Sequence, residues 1–567
     1  MTETKTRSRA WLRWGPLVGV AAVYLLSITH VMQTSVSDGE HSVTEKRVIR
    51  IAHSLSDERV QEAFQALADK YKKIHPDTEV KIQSIPLRAY EQWVTTQLMG
   101  GTAPDLIQVL GNSQNWAILA QHYMDALTPY IIDENPYNHG TDLENESWRA
   151  SYIDGMEGGY FMHLLDFYSI PLTVDNIRVY YNREIFNEVF GSDKPPQDFT
   201  EWMSMCEQIS AHAEALGELL YPLAVSREDR LLDFYYPTVT ANMMRSYDIN
   251  FAAAHTATQV YLGLLSGDFD LHDERVKAGL ELVSEIYSHT QPSFISDMDE
   301  QKRFLFLQRR AAMVLGNTRD FGLYRDISDF PVGVFYFPQV GADHPEYGRY
   351  YVGPARESPN TTFSFGLSQS SRNREAALDF MKFCTSRQNN AAFCAALDWY
   401  PAIKDAPMRE ELRIFEPRSQ GVIYYPNFYS WFGPVQLYFE QFFPLYLDGQ
   451  IDVDAFISGQ EEAYLANYRD SLQLQLDISL RNRHRTEYNG AKAKAAMLFK
   501  EAGRLEVGKV VGSRTAYQIN LEIGPGHDQY INRTRYILRH FGSDQFPFPY
   551  FKNDPGVRPN NKRFLKN

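Results

Sequence analysis

The chain has 567 residues, 44% apolar and 14% aromatic, enough to bury large cores and too many for one ordinary domain, so two lobes with additions are expected. Its 71 acidic and 56 basic residues leave a formal charge of −15, which argues against a nucleic-acid backbone or an anionic membrane surface as main partner. Three cysteines (Cys206, Cys384, Cys394) show no metal-ligand spacing and read as buried thiols, with a Cys384–Cys394 disulfide left open for an oxidising compartment.

In chain order, Lys5, Arg7, Arg9 and Arg13 precede the uncharged run WGPLVGVAAVYLLSITHVM, long enough for a signal-peptide core and just long enough to span a bilayer. Leading positive charge holds that end in the cytoplasm and sends the rest outward. The SVS before Asp38 has small residues suited to cleavage, but His30, Met32 and Gln33 make a poor approach to it, so a cleaved signal and a retained anchor both stand.

After a polar linker, RVIRIAHS reads as a strand and DERVQEAFQALADKYKKIHP as a helix that opens with acids and closes with lysines and a proline. TEVKIQSIP, RAYEQWVTTQLMGG and PDLIQVL then read as strand, helix and strand. Such alternation implies a parallel sheet covered on both faces, with ligands outside the carboxyl ends of its strands. Hence the stretch GGTAPDLIQVLGNS aims its Gly111-Asn112-Ser113 corner at a ligand-facing edge. The pattern continues through FYSIPLTVDNIRVYYNREIFNEVFG, PPQDFTEWMSMCEQIS, RFLFLQRRAAMVLGNTRDFG, FPVGVFYFPQV and FSFGLSQSSRNREAALDFMKFCTS. Near the end, EEAYLANYRDSLQLQLDISLRNRHR and AKAKAAMLFKEAGRL read as long helices, and residues from about Gly542 as an irregular tail.

The motifs FQALADKYKKIHPDTEVKIQ, GGTAPDLIQV, IPLTVDNIRVYYNREIF, PPQDFTEW, RRAAMVLGN, SRNREAALDFMKFCTS and YPAIKDA, in this order and spacing, resemble the bacterial extracellular solute-binding proteins of the maltose-binding type, the substrate-binding components of ABC importers. The resemblance runs from about Val48 to about Tyr468. It implies an α/β fold of two lobes of the class II periplasmic-binding type, to which the N-terminal hydrophobic helix and the extra C-terminal helices read from the residues are additions. It also implies hinge closure over an interlobe cleft and chain crossings near Thr173 to Asn176, near Val334 to Pro338 and after Pro401. The expected division is a basic segment 1–13, a signal or membrane helix 14–32 and a linker 33–47. The first lobe takes 48–173 and 338–400, the second 174–337 and 401–468, followed by a helical region 469–541 and a tail 542–567.

Matched motif by motif, the resemblance places five sites on the cleft. They are His53 and Ser54 after the first strand; Asn112 and Ser113; Asp175, where maltose-type proteins carry an acid that bonds sugar hydroxyls; Asn317 and Arg319; and Tyr429 and Trp431 in NFYSWF. Each has a structural alternative. His53, Ser54, Asn112 and Ser113 are also placed to cap helices, a role Ser56 or Asp57 can take instead of the first two. Asp175 can pair internally, and the aromatic run can be packing. Arg319 stands where relatives carry a stacking aromatic; its guanidinium either receives a carboxylate or sulfate of an anionic sugar, or pairs with Asp175 or Asp320 and leaves the cleft neutral.

No HExxH, phosphate-loop or GxSxG motif occurs, and His272 to Glu274 read as a helix start, so no cofactor, metal or catalytic residue is expected. The leading expectation is an extracytoplasmic, monomeric protein that captures a carbohydrate and delivers it to an ABC permease. The alternatives are a receptor or scaffold for a membrane sensor and an exported carbohydrate-active enzyme.

Overall fold

A computed structural model describes residues 47–111, 113–161, 164, 166–229, 231–245, 257–266, 270–357, 360–418, 420–421, 433–501, 528 and 531–540. The expected hydrophobic helix at 14–32 and the tail at 542–567 lie outside them, as do Asn112, Tyr429 and Trp431. Among the described residues, no helix is long and apolar enough to cross a membrane.

The first strand, β1 (Arg47–His53), ends fully buried. Asp57 caps α1 (Glu58–Ile74) by accepting the Arg59 N–H at 2.9 Å. Glu58 at the helix start and Lys72 and Lys73 at its end suit the helix dipole. Val60, Phe64, Leu67, Ala68 and Tyr71 bury one face at helical spacing. β2 (Thr78–Ser84), α2 (Leu87–Met99), β3 (Leu106–Val109) and α3 (Gln114–Tyr123) complete the opening βα units, with every residue of β3 buried.

The chain then crosses through β4 (Thr173–Val174) into β5 (Ile177–Asn182), with only Asp175 and Asn176 between them. Asn182 caps α4 (Arg183–Phe190) by accepting from the N–H groups of Glu184 and Ile185. Asp198 caps α5 (Phe199–Leu216), which stops at Gly217 in the left-handed region at φ 64°. β6 (Tyr221–Ala224), α6 (Leu231–Arg245), α7 (Ala257–Ser266), α8 (Glu274–Tyr287), α9 (Asp299–Leu307), β7 (Ala311–Asn317), α10 (Phe321–Ile327) and β8 (Val332–Phe335) build the second lobe. The return runs through β9 (Thr361–Thr362), β10 (Ser364–Leu367), α11 (Arg374–Cys384), α12 (Arg387–Leu397) and β11 (Tyr400–Pro401). Then come α13 (Gly433–Leu447) and α14 (Val453–Glu501), a single helix of 49 residues, and residues 531–540 are helical again, with Ile537 in the second lobe's core.

Two four-stranded sheets result, in the orders β10-β3-β1-β2 and β8-β5-β7-β6. A three-stranded sheet, β9-β4-β11, joins them and carries all three crossings. The sheets are mixed rather than wholly parallel: β10 runs against β3, and β5 runs against both β7 and β8. A strand arriving from the other lobe enters a sheet at the end where local strands finish, so it runs opposite to them. The carboxyl ends of β1 and β3 in one lobe, and of β6, β7 and β8 in the other, therefore face the same gap.

Two boundaries differ from the sequence reading. Val340 and Tyr347 lie in the second lobe's core, so that lobe extends past 337, and the crossing back is made at β9 rather than near Val334 to Pro338. The helix expected to begin an added region at 469 is continuous with lobe 2. Its Phe456, Ile457, Tyr464 and Leu472 share one core with Trp202, Leu280 and Tyr261, and the Tyr261 hydroxyl lies 3.1 Å from Ser471 Oγ. All three cysteines are free and buried.

Candidate ligand-binding cleft

The hinge side of the cleft is tied together by backbone-directed bonds. The Asp175 N–H donates to the Asn360 carbonyl at 2.9 Å, and Asn360 Nδ2 returns a bond to the Asp175 carbonyl. Asn176 Nδ2 donates to Phe415 O at 2.8 Å, and its N–H donates to Thr318 Oγ1 at 3.0 Å. This lattice fixes Asp175 at the mouth of lobe 2 with 4% exposure.

Arg319 reaches Asp175 from a single 3-10 turn (Thr318–Asp320) that follows β7. Its Nε donates to Asp175 Oδ2 at 2.7 Å, while about a third of its side chain remains open to solvent. Burial works against the guanidinium charge, but Asp175 more than offsets it, so the pKa of Arg319 is raised. Asp175 Oδ1 is buried and accepts no hydrogen bond among the described residues. Behind the pair, burial pushes the Asp320 pKa up while Arg303 opposes this from 2.9 Å, and Asp320 Oδ2 accepts the Asn317 N–H. The Asn317 carbonyl accepts from the Tyr180 hydroxyl at 2.7 Å, so the main chain of Asn317 is a fixed part of the loop.

On the lobe 1 side, the expected contacts have structural roles. His53 is fully buried, stacked on Phe64 at 5.8 Å with Phe363 edge-on, and burial lowers its pKa; it is a core side chain. Ser54 donates from N and Oγ to Gln108 Oε1, at 2.7 and 3.1 Å. Ser113 is exposed and caps α3, its Oγ 3.5 Å from the Trp116 N–H. Gln108, which sequence reasoning passed over, bridges the ends of β3 and β1. Its signal was a single amide inside the buried run DLIQVL, where a polar side chain needs a partner.

Sequence reading also missed where the lobes meet. Arg325 of α10 reaches Asp398 Oδ2 of lobe 1 at 3.0 Å, and Arg409 reaches Asp398 Oδ1 at 2.7 Å. A side chain at Gly322 would sit 3.3 Å from the same carboxylate and 3.8 Å from Arg59 at the start of α1. Asp398 itself stands at φ 56°, a costly conformation for a residue with a Cβ. Two lobes, each presenting strand ends to one cleft, thus touch at its rim through opposite charges.

A family model described as bacterial extracellular solute-binding protein matches residues 66–413, well over half of the chain. The chain belongs to this family. As an extracellular family, it places the folded lobes outside the cytoplasm. Among solved structures, the chain resembles a chitin oligosaccharide binding protein at 15% identity, covering 74% of this chain and 98% of that one, with a TM-score of 0.51. It also resembles apo RafE from Streptococcus pneumoniae at 13% identity, covering 75% and 99%, with a TM-score of 0.51. The bacterial solute receptor AcbH gives 14% identity, covering 75% and 98%, with a TM-score of 0.50. At these identities the likeness shows the fold. No curated protein matches this chain by sequence. Because relatives are covered almost end to end, about a quarter of this chain is additional to their fold, and the family match stops at 413, before α13 and α14.

Proposed function

We propose that this protein captures a neutral oligosaccharide in the interlobe cleft and hands it, chemically unaltered, to an ABC import permease. The observation that carries the reading is the Arg319–Asp175 pair. It gives the cleft's arginine an internal carboxylate at 2.7 Å, so an anionic ligand would have to compete with that partner. Asp175 Oδ1 keeps acceptor capacity for a ligand hydroxyl, and Arg319 keeps N–H groups for another. The carbohydrate class is supported by family membership and by structural relatives described as binding chitin oligosaccharide and β-D-galactopyranose. Placement of Asn112, Tyr429 and Trp431 on the cleft rests on the family resemblance, and the segment 14–32 serves as export signal or tether.

Thermal-shift titration with neutral, uronic and sulfated oligosaccharides, with recovery of the sugar afterwards, tests the reading. Neutral sugars are expected to stabilise the protein and return intact. Stabilisation by charged sugars alone, abolished in Arg319→Ala, would overturn the neutral assignment, and recovery of cleaved sugar would overturn the binding role.

A further inference from the structure

Behind the cleft's ion pair, acids and bases alternate through the second lobe. Asp175 faces Arg319 at 2.7 Å, and Arg319 is followed on the same turn by Asp320. Asp320 meets Arg303 of α9 at 2.9 Å, and Arg303 lies 3.7 Å from Asp299, one helical turn before it. Asp299 holds Lys302 at 3.0 Å, and Lys302 reaches Asp229, beyond the carboxyl end of β6, at 2.7 Å. Asp229 in turn accepts the N–H of Ser226 at 2.7 Å. Two adjacent bases on one helix, Lys302 and Arg303, thus tie down both of the segments that β6 and β7 send to the gap between the lobes, 226–229 and 318–320.

Stability alone does not account for this chain. The side chains of Asp229, Lys302 and Asp320 are each less than a tenth exposed, and burying charges costs about what their attraction returns, so apolar side chains of similar volume would serve the fold as well. What the charges add is direction. Burial works against the charge of Arg319, and Asp175 and then Asp320 raise its pKa, so the guanidinium answers to two carboxylates. It stands on a single 3-10 turn of three residues, too short to choose between them by itself. The choice is made by the partners of Asp320: its Oδ1 faces Arg303, and its Oδ2 accepts the Asn317 N–H at 2.8 Å. Asp175 has no other cation among the described residues, and Arg319 turns to it. Without the charge of Arg303, Asp320 Oδ1 is left bare in a buried place beside Arg319, and a buried carboxylate without a counter-charge draws the nearest guanidinium.

We infer that Arg303, which bonds to neither member of the cleft pair, is a positioning residue for the ligand: by occupying Asp320 it leaves Arg319 on Asp175, in the geometry that receives sugar hydroxyls. The inference rests on the reading of Arg319 and Asp175 as the ligand-facing pair, but its first link, the hold of Arg303 on Arg319 through Asp320, is measurable without any ligand.

The test uses the full chain with Arg303→Gln, Arg303→Lys and Arg303→Gln/Asp320→Asn, the last of which removes the competing carboxylate and keeps an oxygen for the Asn317 N–H. Arginine Nε–H resonances are recorded by proton–nitrogen NMR in the ligand-free proteins, that of Arg319 being the one lost in Arg319→Lys. In the parent it should exchange slowly with water, as a carboxylate-bound guanidinium does. In Arg303→Gln it should shift and exchange at least about fivefold faster, and in Arg303→Lys and the double variant it should return to the parental position. Stabilisation by neutral oligosaccharides should follow the same order, with affinity about tenfold weaker in Arg303→Gln and within about threefold of the parent in the double variant. A side chain that merely supports the fold gives the opposite for the double variant, because a second loss in the same network adds to the first. An Arg319 signal unmoved in Arg303→Gln, or not restored in the double variant, would overturn the inference. A parent that no neutral sugar stabilises would overturn the binding reading instead, and the ligand-free spectra would still decide whether Arg303 holds Arg319.

Discussion

Among the described residues, only Arg319 answers the buried charge of Asp175, and removing one partner differs from removing both. Arg319→Ala is expected to cost about 2 kcal/mol in denaturant unfolding, below the usual figure for breaking a buried pair because Arg319 is partly solvated. The double variant Asp175→Asn/Arg319→Ala should recover part of that loss. His53 and His289 supply a pH dependence. Burial lowers both pKa values below 6.5, so the unfolded chain binds protons that the folded chain refuses. Their contribution is complete above about pH 6.5 and declines as pH falls below it, by at most about 1.4 kcal/mol per pH unit for each group. Unfolding measured from about pH 7 to about pH 5 should show a shallower slope in His53→Phe, which suits the surrounding rings of Phe64 and Phe363. The sequence made Asp175 and Arg319 legible as a possible pair because the family pattern brings both to the cleft and both carry charge. It could not settle His53, since a strand-end histidine reads the same whether it faces the cleft or the aromatic cluster behind it.

The rim contact joins three separate elements: α10, the turn after α12 and the segment before Phe415. Its charges are partly exposed, so Asp398→Ala should shift the balance between joined and parted lobes by roughly 1 kcal/mol, about fivefold in population. Small-angle scattering of the ligand-free protein should report a larger radius of gyration for this variant. An unchanged radius, and none of the same change in the parent at high salt, would show that the contact does not hold the lobes. In β10, Gly366 has Met124 and the Tyr168 carbonyl pressed against it, so Gly366→Ala should destabilise lobe 1 by about 2 kcal/mol in the same unfolding assay. Most elements were legible: α1, α4 and α5 announce themselves by caps, periodicity and terminal glycines. The reversed direction of β5 and β10 was not, because direction depends on which lobe a strand comes from. Likewise, Val340 and Tyr347 look the same in sequence whichever core receives them.

At the scale of the whole molecule, the family match ends at 413, yet the second lobe is incomplete without α14. Each of Phe456, Ile457, Tyr464 and Leu472 contributes up to about 2 kcal/mol of burial, so a chain ending before Val453 should melt early or aggregate. A chain ending at His540 retains every described helix and should melt like the parent in circular dichroism. The sequence read as long helices across this region, but a run of helix-forming residues does not name the core that receives it. The same embedding has a mechanical consequence. From Leu476 to Glu501, α14 continues for about 37 Å at 1.5 Å per residue. Rooted in lobe 2, it must turn whenever that lobe turns, and a rotation of about 15° would carry its outer end through roughly 10 Å. The helix is therefore a lever, converting a small adjustment around the ligand into a displacement large enough for another molecule to read.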